Sequence, residues 1–260
     1  MMAQLLNFWI PNLLASDGLV FAFEKATLPG KLIIALLFLA SIFSWTIIVT
    51  KAGMVRRARR QTARFLEDFR SDRRPLRIFE NEKRYHGAPL YNIYRAGCEE
   101  MLLQMLGSTV IDETFRARLD NAEKITPAQM RAVQSAMERG VGETALKLES
   151  QLILLATAVS GAPFLGLLGT VWGVMDAFSA VAAAGTANLA AMAPGVSGSL
   201  ITTVVALCVA IPAMFGYNFL LTSIKAMVVQ MDNFAAEVSS ELEHRYVNHT
   251  PRTSPLVRVT

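Results

Sequence analysis

Residues 151–225 read QLILLATAVSGAPFLGLLGTVWGVMDAFSAVAAAGTANLAAMAPGVSGSLITTVVALCVAIPAMFGYNFLLTSIK. Between Gln151 and Lys225 there is a single charged residue, Asp176. A soluble domain could not carry so long an uncharged stretch without exposing a large apolar patch. The stretch therefore predicts two membrane spans, at residues 151–183 and 194–224, joined by a small uncharged loop at 184–193.

Working outward, an earlier apolar run, Leu32–Thr50, is bounded by Lys31 and Lys51. As a helix it measures roughly 28 Å at about 1.5 Å per residue, enough to cross a bilayer. Lys51, Arg56, Arg57, Arg59, Arg60 and Arg64 follow it at once, whereas the other flank offers only Lys25 and Lys31 beside Asp17 and Glu24. The positive-inside rule then puts residues 1–30 outside, the first span at 31–51, and residue 52 onward in the cytoplasm. The same basic run suits anionic lipid headgroups, although a topology signal explains it more simply.

The composition agrees. Of 260 residues 53% are hydrophobic and 18% charged, against a usual charged share of roughly a quarter. The net charge of +4 would suggest nucleic acid in a soluble protein. Here it is concentrated beside a span, so no nucleic-acid partner is expected. Cys98 and Cys208 lie in different contexts and make neither a disulfide pair nor a metal spacing. His244 and His249 are too loosely placed for a metal site. The start of the chain lacks a positive n-region and a cleavage site. Leu5, Leu6, Phe8, Trp9 and Ile10, ended near Pro11, read as an interfacial helix.

Residues 52–150 carry helical patterns and few strand signals. Ala58–Phe69 is rich in helix formers, Pro89 opens a helix at Leu90–Leu106, and another is expected at Ile111–Glu123. Thr126-Pro127 reads as an N-cap and first helical position, opening a helix that continues with little interruption into the second span. After the third span, a cytoplasmic helix is expected at 225–247 and a disordered tail at 248–260. The fold class is an all-α membrane protein with three spans, two of them long and extending into a cytoplasmic helical domain. No nucleotide-binding glycine loop and no catalytic Ser/His/Asp or Cys/His pattern is present, so no enzyme activity, metal or cofactor is expected.

In the second span Ala162, Gly166, Gly169, Gly173 and Ala180 fall on one helical face, a surface that lets another helix approach closely. Pro163 and Pro212 sit inside the two long spans and are counted with these packing residues. Thr170 borders the small face. A lone membrane threonine bonds back to its own helix, so Thr170 alone says little. In the third span Ser199, Thr203, Ala206 and Ala210 share a face, with Thr202 adjoining. Two helices each presenting hydroxyls could form a hydrated ring in an oligomer.

The segments APFLGLLGTVWGVMDAF (162–178) and APGVSGSLITTVVALCVAIPAMFGYN (193–218) resemble the signature spans of the MotA/TolQ/ExbB proton-channel family, close to its TolQ/ExbB branch. The order of one span, a cytoplasmic domain and two long spans matches too, over roughly residues 20 to 245. The resemblance implies a homo-pentamer in a bacterial inner membrane, enclosing a dimer of a single-span TolR/ExbD-like partner, with a TolA/TonB-like protein as a further partner. It also implies that proton flow uses an aspartate on the partner helix faced by pore threonines, which correspond to Thr170 and Thr203. Ser199, Thr202 and Asp176 complete the expected pore-lining set.

One departure stands out. The TolQ and ExbB pattern places a glutamate in a Gly-Ile-Ala-Glu-Ala-Leu arrangement; this chain has Gly198 there, and Asp176 where the family usually has a neutral polar residue. With the two threonines at one depth in antiparallel spans, Asp176 and Gly198 fall nearly level. The acidic group is thus expected to have moved from one helix to the other. An intramembrane aspartate costs about 2.5–3.5 kcal/mol at mid-bilayer, which marks it as a functional candidate.

The outputs that fit are cell-envelope maintenance of the TolQ kind or, alternatively, energising of outer-membrane uptake of the ExbB kind. A secondary transporter would show internal repeats with broken helices, and a scaffold would not need the threonines or Asp176.

Overall fold

The computed structural model describes residues 23–24, 27–71, 74–81, 83–109, 114–185 and 189–248. The expected interfacial helix before Pro11 and the tail beyond Asn248 lie outside them. In chain order the helices are α1 Leu28–Ser71, α2 Arg77–Glu80, α3 Pro89–Leu106, α4 Phe115–Asp120, α5 Pro127–Glu149, α6 Leu152–Ala184 and α7 Leu189–Tyr246. Among the described residues three stretches are long and apolar enough to span a membrane: α1, α5 with α6, and α7. The contacts divide the chain into two compact units, one of residues 1–51 and 151–221, the other of residues 52–150 and 222–260.

The element boundaries differ from expectation in three places. The helix expected at Ile111–Glu123 is limited to Phe115–Asp120, with Ala122 and Glu123 outside it. Ile111 lies outside the described residues. The third apolar helix starts at Leu189 rather than near Pro194. Pro194, the sixth residue of that helix, lies inside it and supplies no N–H to the preceding turn. Between α5 and α6, Ser150 is extended and Gln151 takes a left-handed φ of 71°, so the helix is interrupted there before it resumes at Leu152.

In the membrane unit the driving force is close packing, since lipid tails are as apolar as leucine. Helices α6 and α7 run antiparallel along a seam of small residues. A methyl group on Gly166 would lie 2.5 Å from Ala206 Cβ, one on Gly173 2.5 Å from Ser199 Cβ, and one on Gly195 3.1 Å from Ala177 Cβ. Ala162, Gly166, Gly169, Gly173 and Ala177 are the buried residues of this stripe. Ala180, expected on it, is exposed; the last contact of the seam is at Ala177. Helix α1 packs through Leu37 with Ala162, Ala206 and Ala210, flanked by Leu165, Val205 and Val209. Farther along, Ile48 Cδ1 lies 2.5 Å from where a Gly216 Cβ would stand.

The other unit has a hydrophobic core in the ordinary sense. Phe65 on α1 is fully buried and contacts Phe69, Tyr85, Tyr91, Tyr94 and Phe234, with ring centroids 5.4–5.9 Å apart. The Tyr94 hydroxyl, fully buried, donates to the Pro75 carbonyl at 2.6 Å and accepts from the Phe79 N–H at 3.2 Å. Gly97 lets Met137 of α5 pack against α3: a methyl there would lie 2.7 Å from Met137 Cγ. Thr126 caps α5 through a capping box with Gln129, as its sequence predicts. The end of α7 is tied to the strand-like Ile125, whose N–H donates to Tyr246 O at 2.9 Å and whose carbonyl accepts from Asn248 N–H at 3.0 Å.

Candidate functional site: a threonine cluster on one carbonyl

The glycine stripe brings α6 and α7 close enough for side chains of one helix to reach the backbone of the other. Three hydroxyls converge on the Gly166 carbonyl. Thr170 Oγ1 donates to it from one turn along α6, and Thr202 Oγ1 and Thr203 Oγ1 donate from α7, each at 3.1 Å. The Thr170 and Thr203 hydroxyls also touch, and because each carries one proton, one of them shares its proton between the other hydroxyl and the Gly166 carbonyl. Gly166 is required at the centre, because a side chain there would meet Ala206 and the Thr203 backbone.

The hydroxyls are not equivalent. Thr202 is fully buried and also shares a 2.7 Å bond with Ser199 O. Ser199, buried against Gly173, donates to Val196 O at 2.7 Å. These two are internal struts of the seam. Thr170 and Thr203 are half-buried and stand at its edge. A threonine hydroxyl is both donor and acceptor, so a touching pair can pass a hydrogen bond across the seam while keeping lone pairs for a visiting water or hydronium.

Helical geometry separates Asp176 from this cluster. At about 100° per residue, Thr170 and Asp176 stand roughly 60° to either side of the line Gly166–Gly169–Gly173–Ala177. On α7, Thr203 and Gly198 are likewise on opposite flanks of the line Gly195–Ser199–Thr202–Ala206, each about 70° away. The touching threonines share one flank, so Asp176 and Gly198 share the other. The contacts Ala177–Gly195 and Gly173–Ser199 fix the register. They put Asp176 level with Val196, about 3 Å along the axis from Gly198. Leu165, Val205 and Val209, the residues packed around Leu37, lie on that second flank. The threonine flank is the one turned away from α1.

Of the expected site residues, the structure thus brings together Thr170, Thr202 and Thr203 around Gly166, sets Ser199 farther along the seam against Gly173, and leaves Asp176 apart. Pro163 and Pro212 fall inside α6 and α7. The hub role of the Gly166 carbonyl has no counterpart in the sequence, because a backbone acceptor carries no residue signature. Among the described residues no group of three or more His, Cys, Asp or Glu could hold a metal ion.

Comparison with known proteins adds an independent line. Residues 107–233 match the family model described as the MotA/TolQ/ExbB proton channel family. The chain is 31% identical over 229 residues to a Tol-Pal system protein TolQ of Haemophilus influenzae, covering 88% of this chain and 95% of that protein. It is 30% identical over 246 residues to the TolQ of Pseudomonas aeruginosa, covering 92% and 97%. It is 31% identical over 231 residues to the biopolymer transport protein ExbB of Pseudomonas putida, covering 86% and 64%.

Proposed function

The chain belongs to the MotA/TolQ/ExbB proton channel family, and we propose from that premise that it is the channel-forming subunit of a proton-driven motor in the inner membrane of Gram-negative bacteria. The observation that carries the reading is the Thr170–Thr203 hydroxyl pair on the Gly166 carbonyl, at the edge of the helix seam and turned away from α1. Five copies arranged with that flank inward would line a pore with a ring of such pairs. A dimer of a single-span TolR/ExbD-like partner would occupy it, and the partner's membrane aspartate would exchange its proton across the threonine ring. One charge crossing 100 mV releases about 2.3 kcal/mol, enough to bias rotation of a loosely held inner dimer. The N-terminus would face the periplasm and residue 52 onward the cytoplasm, as the basic run after the first span supports.

The output we favour is of the TolQ kind, in which force reaches the cell envelope through the partner's periplasmic part and a TolA-like protein. The two full-length TolQ relatives support it. An ExbB-like role in energising outer-membrane uptake is the second reading, supported by 41% identity over 106 residues to ExbB of Xanthomonas campestris.

The test is the native mass of the detergent-solubilised chain co-expressed with its candidate single-span partner, together with proton uptake by the complex in vesicles. Five copies with two partners are expected, with uptake reduced at least tenfold by Thr170→Val or Thr203→Val. A monomer or dimer without a partner overturns the motor reading, and a pentamer with full uptake in both variants overturns the role of the threonine pair.

A further inference from the structure

Helix α1 does not stop at the end of the first span. It runs unbroken to Ser71, and past Lys51 it carries Arg56, Arg57, Arg59, Arg60 and Arg64. Buried Val55, Ala58, Thr62 and Phe65 mark the side of this stretch that faces the core of the second unit. At about 100° per residue, Arg56, Arg57, Arg60 and Arg64 fall in one strip about 100° wide on the opposite side. All four are exposed. Among the described residues none of the four has an ion-pair or hydrogen-bond partner. Gly53 continues the strip toward the span, and a methyl group there would meet nothing within 4 Å. The face is therefore open along its whole length.

Topology accounts for the number of these charges, but not for their alignment or their isolation from acids. No acidic residue occurs on α1 between the span and Glu67, so the strip lacks the i,i+4 pairs that usually balance an exposed helix face. Exposed arginines elsewhere do find acids: Arg95 pairs with Glu99, and Arg70 with Glu237. The turn before α3 lies beside the strip, with Arg57 Nε 3.9 Å from where a Gly87 Cβ would stand. Exposed Arg84 adds a further positive charge to that turn. Direction and depth also fit. Side chains on a helix lean toward its N-terminus, which on α1 is the membrane end. Arg56 and Arg57 follow Lys51 by about 7.5 and 9 Å, and Arg60 by about 13.5 Å. A headgroup layer is roughly 5–8 Å thick on each side of a bilayer. Arginines lay their apolar stems along a surface and place the charge in the polar layer, so all three can lean back into it. A guanidinium fork matches two phosphate oxygens at once.

We propose that this strip is a binding surface for anionic phospholipid headgroups, with Arg56, Arg57 and Arg60 holding the phosphates of the leaflet at which the first span ends. Charge and depth select the occupant. An acidic soluble protein would have to enter the headgroup layer to reach Arg56 and Arg57, whereas the lipid is already there. Each arginine near such a surface is worth about fivefold in affinity, about 1 kcal/mol. The contact fixes the height and tilt at which α1 leaves the membrane, and it is independent of the proton pathway.

The experiment titrates phosphatidylglycerol or phosphatidylcholine into the purified full chain in a neutral detergent and reads retained lipid per chain by mass spectrometry. At low salt phosphatidylglycerol is expected to half-saturate at a concentration at least tenfold below phosphatidylcholine, and added salt is expected to shrink that advantage at least fivefold. Arg56→Gln with Arg57→Gln and Arg60→Gln is expected to remove it. Arg131→Gln with Arg139→Gln, at exposed positions on α5, is expected to leave it within twofold. Lysine at the same three strip positions preserves the charge that orients the span, so it serves even where the glutamine variant fails to insert. It is expected to weaken phosphatidylglycerol at least threefold, because an ammonium cannot make the two-pronged bond. Equal affinity for the two lipids, or unchanged preference in the strip variants, overturns the proposal. Equal binding of free glycerol phosphate makes the strip a soluble-phosphate site and overturns the lipid assignment. So does binding of polyglutamate that the glutamine variant loses while the two lipids bind alike, which would make the strip an acidic-peptide surface.

Discussion

Thr170 and Asp176, six residues apart on α6, stand on opposite flanks of the seam that joins α6 to α7, about 120° apart around the helix. The one carboxylate of the long apolar stretch therefore does not extend the threonine cluster. It shares its flank and level with Gly198 on α7, as the register of Gly173 with Ser199 dictates. If the acidic group of this region can sit on either helix, its position should be exchangeable. Asp176→Asn is expected to lower proton-driven activity roughly tenfold, about 1.4 kcal/mol in barrier terms, with the complex still assembled. Adding Gly198→Glu to that variant is expected to restore a substantial part. Full activity of Asp176→Asn would remove the carboxylate from the mechanism. Loss of assembly would assign it to structure.

The seam itself makes a contrast between two glycines. At Gly173 an added methyl would stand 2.5 Å from Ser199 Cβ, whereas at Gly161 it meets nothing. Forcing a methyl into a packed contact costs about 1–3 kcal/mol. Gly173→Ala should lower the thermal stability of the purified protein and weaken the threonine contact one turn away. Gly161→Ala should leave the melting temperature unchanged to within about a degree or two, since surface changes stay within about 0.5 kcal/mol. Equal effects from the two would mean that the seam relaxes freely.

Much of this architecture is legible in the amino-acid sequence. The three apolar runs, the small stripe of α6 and the Thr126 cap depend on spacing and local chemistry, and sequence states those directly. The grouping of Ser199 and Thr203 on one face is less accurate, because the seam follows Ser199, Thr202 and Ala206 and leaves Thr203 at its edge. Gly166 as acceptor depends on the register of two helices, which leaves no pattern along the chain. The contact of Phe65 with Phe234 joins residues far apart in sequence, and no periodicity could have paired them.

Tyr94 offers a test of the second unit alone. Its hydroxyl satisfies both Pro75 O and Phe79 N–H inside the core, and burial pushes its pKa well above the ordinary phenol value. Tyr94→Phe keeps the ring contacts but leaves both backbone groups without that partner. A buried polar group deprived of its bond costs about 1–3 kcal/mol. Unfolding of the variant in denaturant should show that loss, with Phe79 and its neighbours exchanging amide hydrogens faster. Wild-type stability would mean that water or the backbone takes over.

Asp68 sets a pH dependence whose sign follows from its partners. Its carboxylate accepts from Lys83 Nζ and from the Tyr85 hydroxyl, and these bonds, the Lys83 bond first, hold its pKa below the usual carboxylate value. A folded pKa below the unfolded one, about 3.9, means that the folded state binds its proton less readily. The contribution is present in full above the unfolded value and is lost as pH falls through the folded one. Asp68→Asn should therefore destabilise the unit at neutral pH, by about 1 kcal/mol for the lost charged acceptor of Tyr85. The difference from wild type should shrink as pH is lowered below about 4, where the wild-type carboxyl also begins to take up a proton. Denaturant melts of both proteins from pH 7 down to pH 3 would trace it. A gap that stayed constant through that range would show that the bonds to Lys83 and Tyr85 do not act through the charge of Asp68.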